Sequence, residues 1–121
     1  MASPYKHAEN SVKKWGGNIE NYLPIHEFLD STKLHMVTWQ HRAILHNTFG
    51  IGLCESLFGQ VIDNGEGRLI EVRYIAIKHI EEDLGFVPTI KEWLYDLKPK
   101  KFAINLKKDE KNNFDSNDLC F

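Results

Sequence analysis

The chain has 121 residues, 15 Lys and Arg against 17 Asp and Glu, and 42% hydrophobic side chains, the profile of one compact domain with a sizeable core. No apolar run approaches the ~20 residues of a membrane-spanning helix, and the N-terminus lacks the basic-then-apolar order of a secretory signal, so a cytoplasmic protein without a membrane partner is expected. A formal net charge of -2 argues against bulk DNA binding, which needs a basic surface to release counterions, and two cysteines, Cys54 and Cys120, make neither a disulfide framework nor a cysteine zinc site.

Ser3 followed by Pro4 is a helix start, and Tyr5, Ala8, Val12 and Trp15 recur at helical spacing until Gly16-Gly17, which predicts a first helix over 4–15. Pro24 suits a first helical position, so a second, shorter helix is expected from there to about Lys33. Thr38 is placed to cap a long third helix ending at Gly59, with Leu45, Phe49, Leu53 and Leu57 as one apolar stripe. Gly50 and Gly52 inside it each weaken the helix by roughly 1 kcal/mol relative to Ala, which calls for a tight helix crossing or space for a ligand. Residues 60–62 and 68–70 flank the Gly-rich turn 63–67 and read as a hairpin. Val72, Ile75, Ala76, His79, Ile80 and Asp83 then predict a fourth helix capped by Gly85, and Thr89 with Glu92 opens a fifth before Pro99.

The expected fold is therefore mainly α, a compact bundle of about five helices with one small β-hairpin. Residues 1–97 form a single helical domain with nine basic and thirteen acidic side chains, and residues 98–121, with six Lys against four acids, form a polar, partly disordered tail. Within the tail, residues 107–118 carry one aromatic and no aliphatic side chain, too little apolar surface to offset the entropy of ordering them.

Six histidines are the compositional signal that points beyond a plain helical domain. His26 and Asp30 stand four apart on the second helix, and His79 and Asp83 four apart on the fourth, so each pair shares one helix face. An imidazole and a carboxylate one turn apart can both reach a divalent cation, and two such helices facing each other supply a mixed N/O shell suited to Zn, Mn or Fe. His41 and His46 are candidate acid–base catalysts, although five residues is roughly 140° of helix rotation, which keeps one straight helix from presenting both to one point. Lys33, Arg42 and Arg73 are candidate anion contacts, since Arg clamps phosphate and Lys stabilises developing negative charge, and Asn47 is a candidate substrate contact. Glu27, Glu81 and Glu82 flank the pairs as alternative bases. The plain alternative is that the His/Asp pairs are surface ion pairs of little energetic weight, that the cations balance an acidic surface, and that Asn47 is a buried amide satisfying the backbone. Trp15, Trp39, Trp93, Tyr22, Tyr74 and Phe58 read as core or rim, with Trp39 and Tyr74 the two suited to stacking a base.

The stretches PIHEFLDSTK (24–33), HRAILHNTFG (41–50), VRYIAIKHIEEDLG (72–85) and PTIKEWL (88–94) resemble an uncharacterised family of small, His-rich bacterial and bacteriophage proteins, a domain of unknown function. The resemblance spans residues 8–97 and implies that the histidines and acids of these blocks belong together. A second similarity, in site chemistry, is to HD-type phosphohydrolases, which hold a divalent metal through a His, a His-Asp doublet and a later Asp. Here the doublet position is His46-Asn47, which lacks the acid.

Two functional expectations follow. In the first, the chain is a metal-dependent phosphohydrolase or nuclease-like enzyme acting on a nucleotide or small phosphorylated substrate: His26, Asp30, His79 and Asp83 hold the metal, His41 or His46 shuttles a proton, and Lys33, Arg42, Arg73 and Asn47 hold the substrate. In the second it is a non-catalytic, bacteriophage-type binding protein that sequesters a nucleotide signal or inhibits a host protein. An exposed helix face would suit homodimerisation in either case.

Overall fold

The computed structural model describes residues 2–104. The expectations placed on the stretch 107–118 and on Cys120 lie outside the described residues. Packing divides the described residues into two units, one ending at Ile90 and one beginning at Lys91. Among the described residues there are six α-helices, two 3-10 turns and one two-stranded antiparallel hairpin, the mainly helical fold with a single hairpin that the sequence pattern predicts. No helix among them is long and apolar enough to cross a membrane.

In the first unit, α1 spans Pro4–Trp15. The Ser3 hydroxyl accepts from the Lys6 N–H at 3.2 Å, and Pro4 occupies the first turn, where its missing N–H is no loss. Gly16 and Gly17 then adopt φ of 79° and 87°, and the chain turns directly into α2 (Ile19–Leu29). That helix starts ahead of Pro24 and carries it inside, at the loss of one helical hydrogen bond. The hairpin loop fixes the early start: Asn18 N–H donates to the Asn64 carbonyl at 2.8 Å, and Gly17 N–H to the Glu66 carboxylate at 3.0 Å. A Cβ on Gly17 would collide with that same Asn64 carbonyl.

The expected long third helix is broken. Two 3-10 turns, Ser31–Leu34 and Trp39–His41, lead into a single α-turn, α3 (Arg42–Leu45), and α4 (Thr48–Phe58) begins only after His46 and Asn47. Asn47 causes the break, because its backbone is extended (φ −163°, ψ 178°) and its amide serves three backbone groups. Its Oδ1 accepts from Gly50 N–H at 2.9 Å, and its Nδ2 donates to the carbonyls of Ala43 and Ile44 at 2.9 and 3.1 Å. The break also changes which face of α4 is buried. Ile51 and Cys54 are in the core, whereas Phe49 and Leu57, members of the expected stripe, are 51% and 60% exposed.

The strands β1 (Val61–Asp63) and β2 (Leu69–Glu71) pair in the register Val61↔Glu71 and Ile62↔Ile70. Helix α5 (Val72–Leu84) follows without a loop and ends on Gly85 in the left-handed conformation. It buries Val72, Ile75, Ala76, His79 and Ile80 on one face. Helix α2 packs on α1, α4 and α5 around a core that includes Tyr22, Ile25, Leu29, Ile75 and Ile80. In the second unit, α6 (Ile90–Leu94), which begins at the last residue of the first, stops before Leu97, and a turn closes with Ile104 N–H on the Lys100 carbonyl at 2.9 Å.

Candidate metal centre

Five histidines, His7, His26, His41, His46 and His79, have no solvent exposure, an arrangement that demands partners, since a buried polar group without one is costly. The partners are each other, three acids and the hydroxyls of Ser11 and Thr32. Asp30 at the end of α2, His46 at the α3–α4 break, and His79 and Asp83 one turn apart on α5 each offer one donor atom, all four atoms lying within 4.8 Å of one another. His79 Nε2 is 3.2 Å from Asp30 Oδ1 and 3.5 Å from Asp83 Oδ2, and His46 Nε2 is 2.9 Å from Asp83 Oδ2 and 3.6 Å from Asp30 Oδ1. Tetrahedral coordination with bonds of about 2.1 Å places neighbouring donors roughly 3.4 Å apart. The four N-to-O edges bracket that value, so this buried Asp/His/His/Asp cluster can hold a metal ion. The same contacts serve as hydrogen bonds when a proton occupies the ring nitrogen.

A second layer surrounds the four donors. His7, on α1, stacks on the His79 ring at 3.7 Å between centroids, and its two nitrogens reach Glu82 Oε1 at 2.6 Å and Asp83 Oδ1 at 3.3 Å. His26 Nδ1 is 2.9 Å from His79 Nδ1, and His26 Nε2 is 2.8 Å from the Ser11 hydroxyl. Lys33 Nζ lies 3.7 Å from Asp30 Oδ2 and Arg42 Nη2 4.0 Å from Asp83 Oδ1, with 29% and 17% of the two cationic side chains exposed.

Burial and hydrogen bonding act on these groups in opposite directions. Burial pushes His79 down to about 4 and His26 to about 2, so both rings are neutral near pH 7, the form that ligates a metal. Burial lowers His41 as well. On His7 burial also acts downward, but the hydrogen bonds to Asp83 and Glu82 outweigh it and raise its pKa. Burial opposes ionisation of Asp30 and Asp83, yet the histidines hydrogen-bonded to each hold both carboxyls below their ordinary range. Two carboxylates facing imidazole nitrogens are a donor set for a divalent cation.

The sequence-predicted residues separate in space. Asp30, His79 and Asp83 come together, and the fourth donor atom is that of His46, expected as an acid–base group, in place of the expected ligand His26. His26 stands one hydrogen bond behind His79. His41 and His46 approach each other despite the helical rotation between them, their ring centroids 5.7 Å apart and nearly perpendicular. The Thr32 hydroxyl donates to the His41 carbonyl at 2.8 Å, so its 3.4 Å contact with His41 Nδ1 can only accept. That leaves Nε2 of the neutral ring as a buried lone pair with no hydrogen-bond partner. Lys33 and Arg42 lie at the edge of the centre. Arg73 is exposed on the first turn of α5 and is not brought to it, and Asn47 has its amide committed to the backbone. Glu27 and Glu81 are exposed, while Glu82 joins the outer layer through His7 and Lys78. Trp39 and Tyr74 are 64% and 52% exposed. His7 and Ser11 carry no sequence signal of their own, since their partners arrive from other helices.

A family model described as a domain of unknown function (DUF6915) matches residues 2–103 of the chain. No curated protein and no solved structure matches it.

Proposed function

The chain belongs to this family of unknown function, DUF6915, and from the geometry of its buried centre we propose that it is a metal-dependent phosphohydrolase acting on a nucleotide or other small phosphorylated substrate. One observation carries the reading. Four N and O donors converge within 4.8 Å, with the cationic ends of Lys33 and Arg42 set against the outer oxygens of the two carboxylates.

Asp30, His46, His79 and Asp83 are the metal ligands, and Zn, Mn or Fe suits two imidazoles with two carboxylates. A divalent ion there supplies Lewis-acid polarisation of a phosphoryl oxygen and lowers the pKa of a water molecule. Lys33 and Arg42, both partly open to solvent, hold the substrate anion, Arg by its planar fork and Lys as a point charge. His41 Nε2, a buried lone pair without a hydrogen-bond partner, would accept the proton given up by the attacking water. The donor set, two His and two Asp, is the same in kind as that of the HD-type phosphohydrolases, an analogy of chemistry alone, because the doublet position here carries Asn47.

A second reading rests on the depth of the centre, whose four side chains are at most 3% exposed. Such burial also suits an ion that anchors a nucleotide or stabilises a surface for a host protein without turnover. Metal analysis of untagged protein, followed by assay against phosphomonoesters, phosphodiesters and nucleotides, separates the two. The hydrolase reading expects about one ion per chain, lost in His46→Ala/His79→Ala, and metal-dependent phosphate release by the wild type. One ion with every phosphoester left intact supports the binding protein. A wild type that takes up no Zn, Mn or Fe ends both metal readings.

A further inference from the structure

The hydrogen-bond chain running outward from His79 has a direction, and only one of its two directions suits a cation. Its links are Ser11 Oγ to His26 Nε2 (2.8 Å), His26 Nδ1 to His79 Nδ1 (2.9 Å), and His79 Nε2 to Asp30 Oδ1 (3.2 Å). Two ring nitrogens 2.9 Å apart share a single hydrogen, so one Nδ1 donates and the other accepts. The Ser11 hydroxyl has two acceptors within reach, His26 Nε2 and the His7 carbonyl at 3.2 Å. All of these groups but the Asp30 carboxylate belong to residues with no exposure, and Asp30 is nearly buried, so bulk water does not complete their bonding and the hydrogens are shared out among the groups themselves.

With the Ser11 hydroxyl donating to His26 Nε2, His26 Nδ1–H donates to His79 Nδ1, and His79 Nε2–H donates to Asp30. Every atom along the chain from Ser11 Oγ to Asp30 Oδ1 then has a partner without an ion. With the hydroxyl donating to the His7 carbonyl, Ser11 Oγ instead accepts from His26 Nε2–H, and His26 Nδ1 accepts from His79 Nδ1–H. His79 Nε2 is then a bare lone pair facing the carboxylates of Asp30 and Asp83. A lone pair against two carboxylates is repulsive unless a cation lies between them.

We propose that Ser11 and His26 are positioning residues that set the tautomer of His79, the Ser11 hydroxyl turning from His26 to the His7 carbonyl when a divalent cation is held between Asp30, His46, His79 and Asp83. The proton count balances. The entering cation displaces one proton from His79 Nε2 to solvent, the hydrogen between the two Nδ1 atoms passes from His26 to His79, and His26 Nε2 takes up one proton from solvent as the site opens to admit the ion. Both rings therefore remain neutral and no net proton is released. This inference rests on the metal-centre reading but not on hydrolysis. An outer hydrogen bond of this kind fixes ring orientation and raises the basicity of a ligating histidine.

The test uses full-length protein and Zn alone. Long-range nitrogen–proton NMR of the histidine side chains is recorded with and without Zn, and Zn affinity is measured by chelator competition for wild type, Ser11→Ala and Ser11→Thr. His26 should change from the Nδ1–H to the Nε2–H tautomer on Zn addition. Ser11→Ala, which leaves a buried His26 N–H without an acceptor in the loaded state, should weaken Zn by about 10- to 100-fold, and Ser11→Thr, which keeps the hydroxyl, should restore it. A His26 tautomer that is the same in both states, or a folded Ser11→Ala protein with wild-type affinity, overturns the relay while leaving the metal centre intact. Failure of the wild type to bind Zn overturns both. Zn binding with tautomer inversion but no phosphoester cleavage removes the hydrolase reading and leaves the relay standing.

Discussion

His46 Nε2 sits 2.9 Å from Asp83 Oδ2, joining the α3–α4 break to the last turn of α5 across 37 residues of sequence. The contact exists because Asn47 stops α3 and restarts the chain as α4, aiming the preceding imidazole inward. If the two atoms are ligands of one ion, Asp83→Asn, which keeps the shape and removes the charge, should weaken Zn or Mn by roughly a hundredfold or more, beyond the loss typical of outer-layer changes. Glu81→Gln, at an exposed neighbour on the same helix, should leave affinity unchanged. Competition titration of both variants against wild type checks this, and equal affinity for Asp83→Asn would remove Asp83 from the ligand set.

An ion bound only by the folded chain must also stabilise it. At a free concentration a hundredfold above Kd the gain is about 2.7 kcal/mol, which for a domain of this size raises Tm by on the order of 10 °C. Calorimetry of chelator-treated protein with and without Zn should show that rise in wild type and not in His46→Ala/His79→Ala.

Acid should destabilise the metal-free protein before its carboxylates titrate. Burial holds His26 near 2, His79 near 4, and His41 below its ordinary value, while the same rings in the unfolded chain titrate near 6.5. Between about pH 6.5 and 4 the unfolded state therefore binds more protons, and stability falls as pH drops. His7 has the opposite sign. Its folded pKa is raised, so its contribution is present below 6.5 and lost as pH rises through the folded value, but it is one group against three. Asp30, Glu82 and Asp83, all lowered, add a further loss as pH falls below the carboxylate range. The urea midpoint of chelated protein should be lower at pH 5 than at pH 7, and an equal or higher midpoint at pH 5 would contradict neutral burial of these rings.

The two glycines of α4 should respond in opposite directions to alanine. A Cβ at Gly50 would strike the Leu45 carbonyl, where α4 closes against α3, whereas at Gly52 nothing lies within 4 Å. Gly50→Ala should cost on the order of 3 kcal/mol, and Gly52→Ala should stabilise by about 1 kcal/mol through helix propensity. Denaturant melts of the pair decide it, and similar midpoints for the two would mean that the crossing is not tight.

Cys54 should be inert. It is fully buried, and burial pushes its thiol up to about 12, so the reactive thiolate is scarce at pH 8. Peptide mapping after iodoacetamide treatment should find Cys54 unmodified in native protein and alkylated in urea.

What the sequence determined by itself is local. The Ser3-Pro4 start and glycine stop of α1, the α5 pattern ending on Gly85 and the hairpin around residues 63–67 each rest on neighbours within a turn or two, so composition and spacing suffice. The same holds for the His26/Asp30 and His79/Asp83 pairs, whose common faces follow from helical geometry alone. Tertiary structure decided everything that depends on direction between elements. A single apolar period runs through residues 45–57 whether or not the helix is continuous, so the break at Asn47, and with it the inward aim of His46, is set by a side chain competing for backbone groups and by Pro88 accepting the Thr48 N–H. Pairing by helical spacing treats His26 and His79 as equivalent, but the packing of α2 on α5 turns one toward the carboxylates and sets the other behind it. His7 is drawn to Glu82 across 75 residues, a distance at which no periodicity carries information, and only burial, which leaves its ring no water to bond with, makes that pairing necessary.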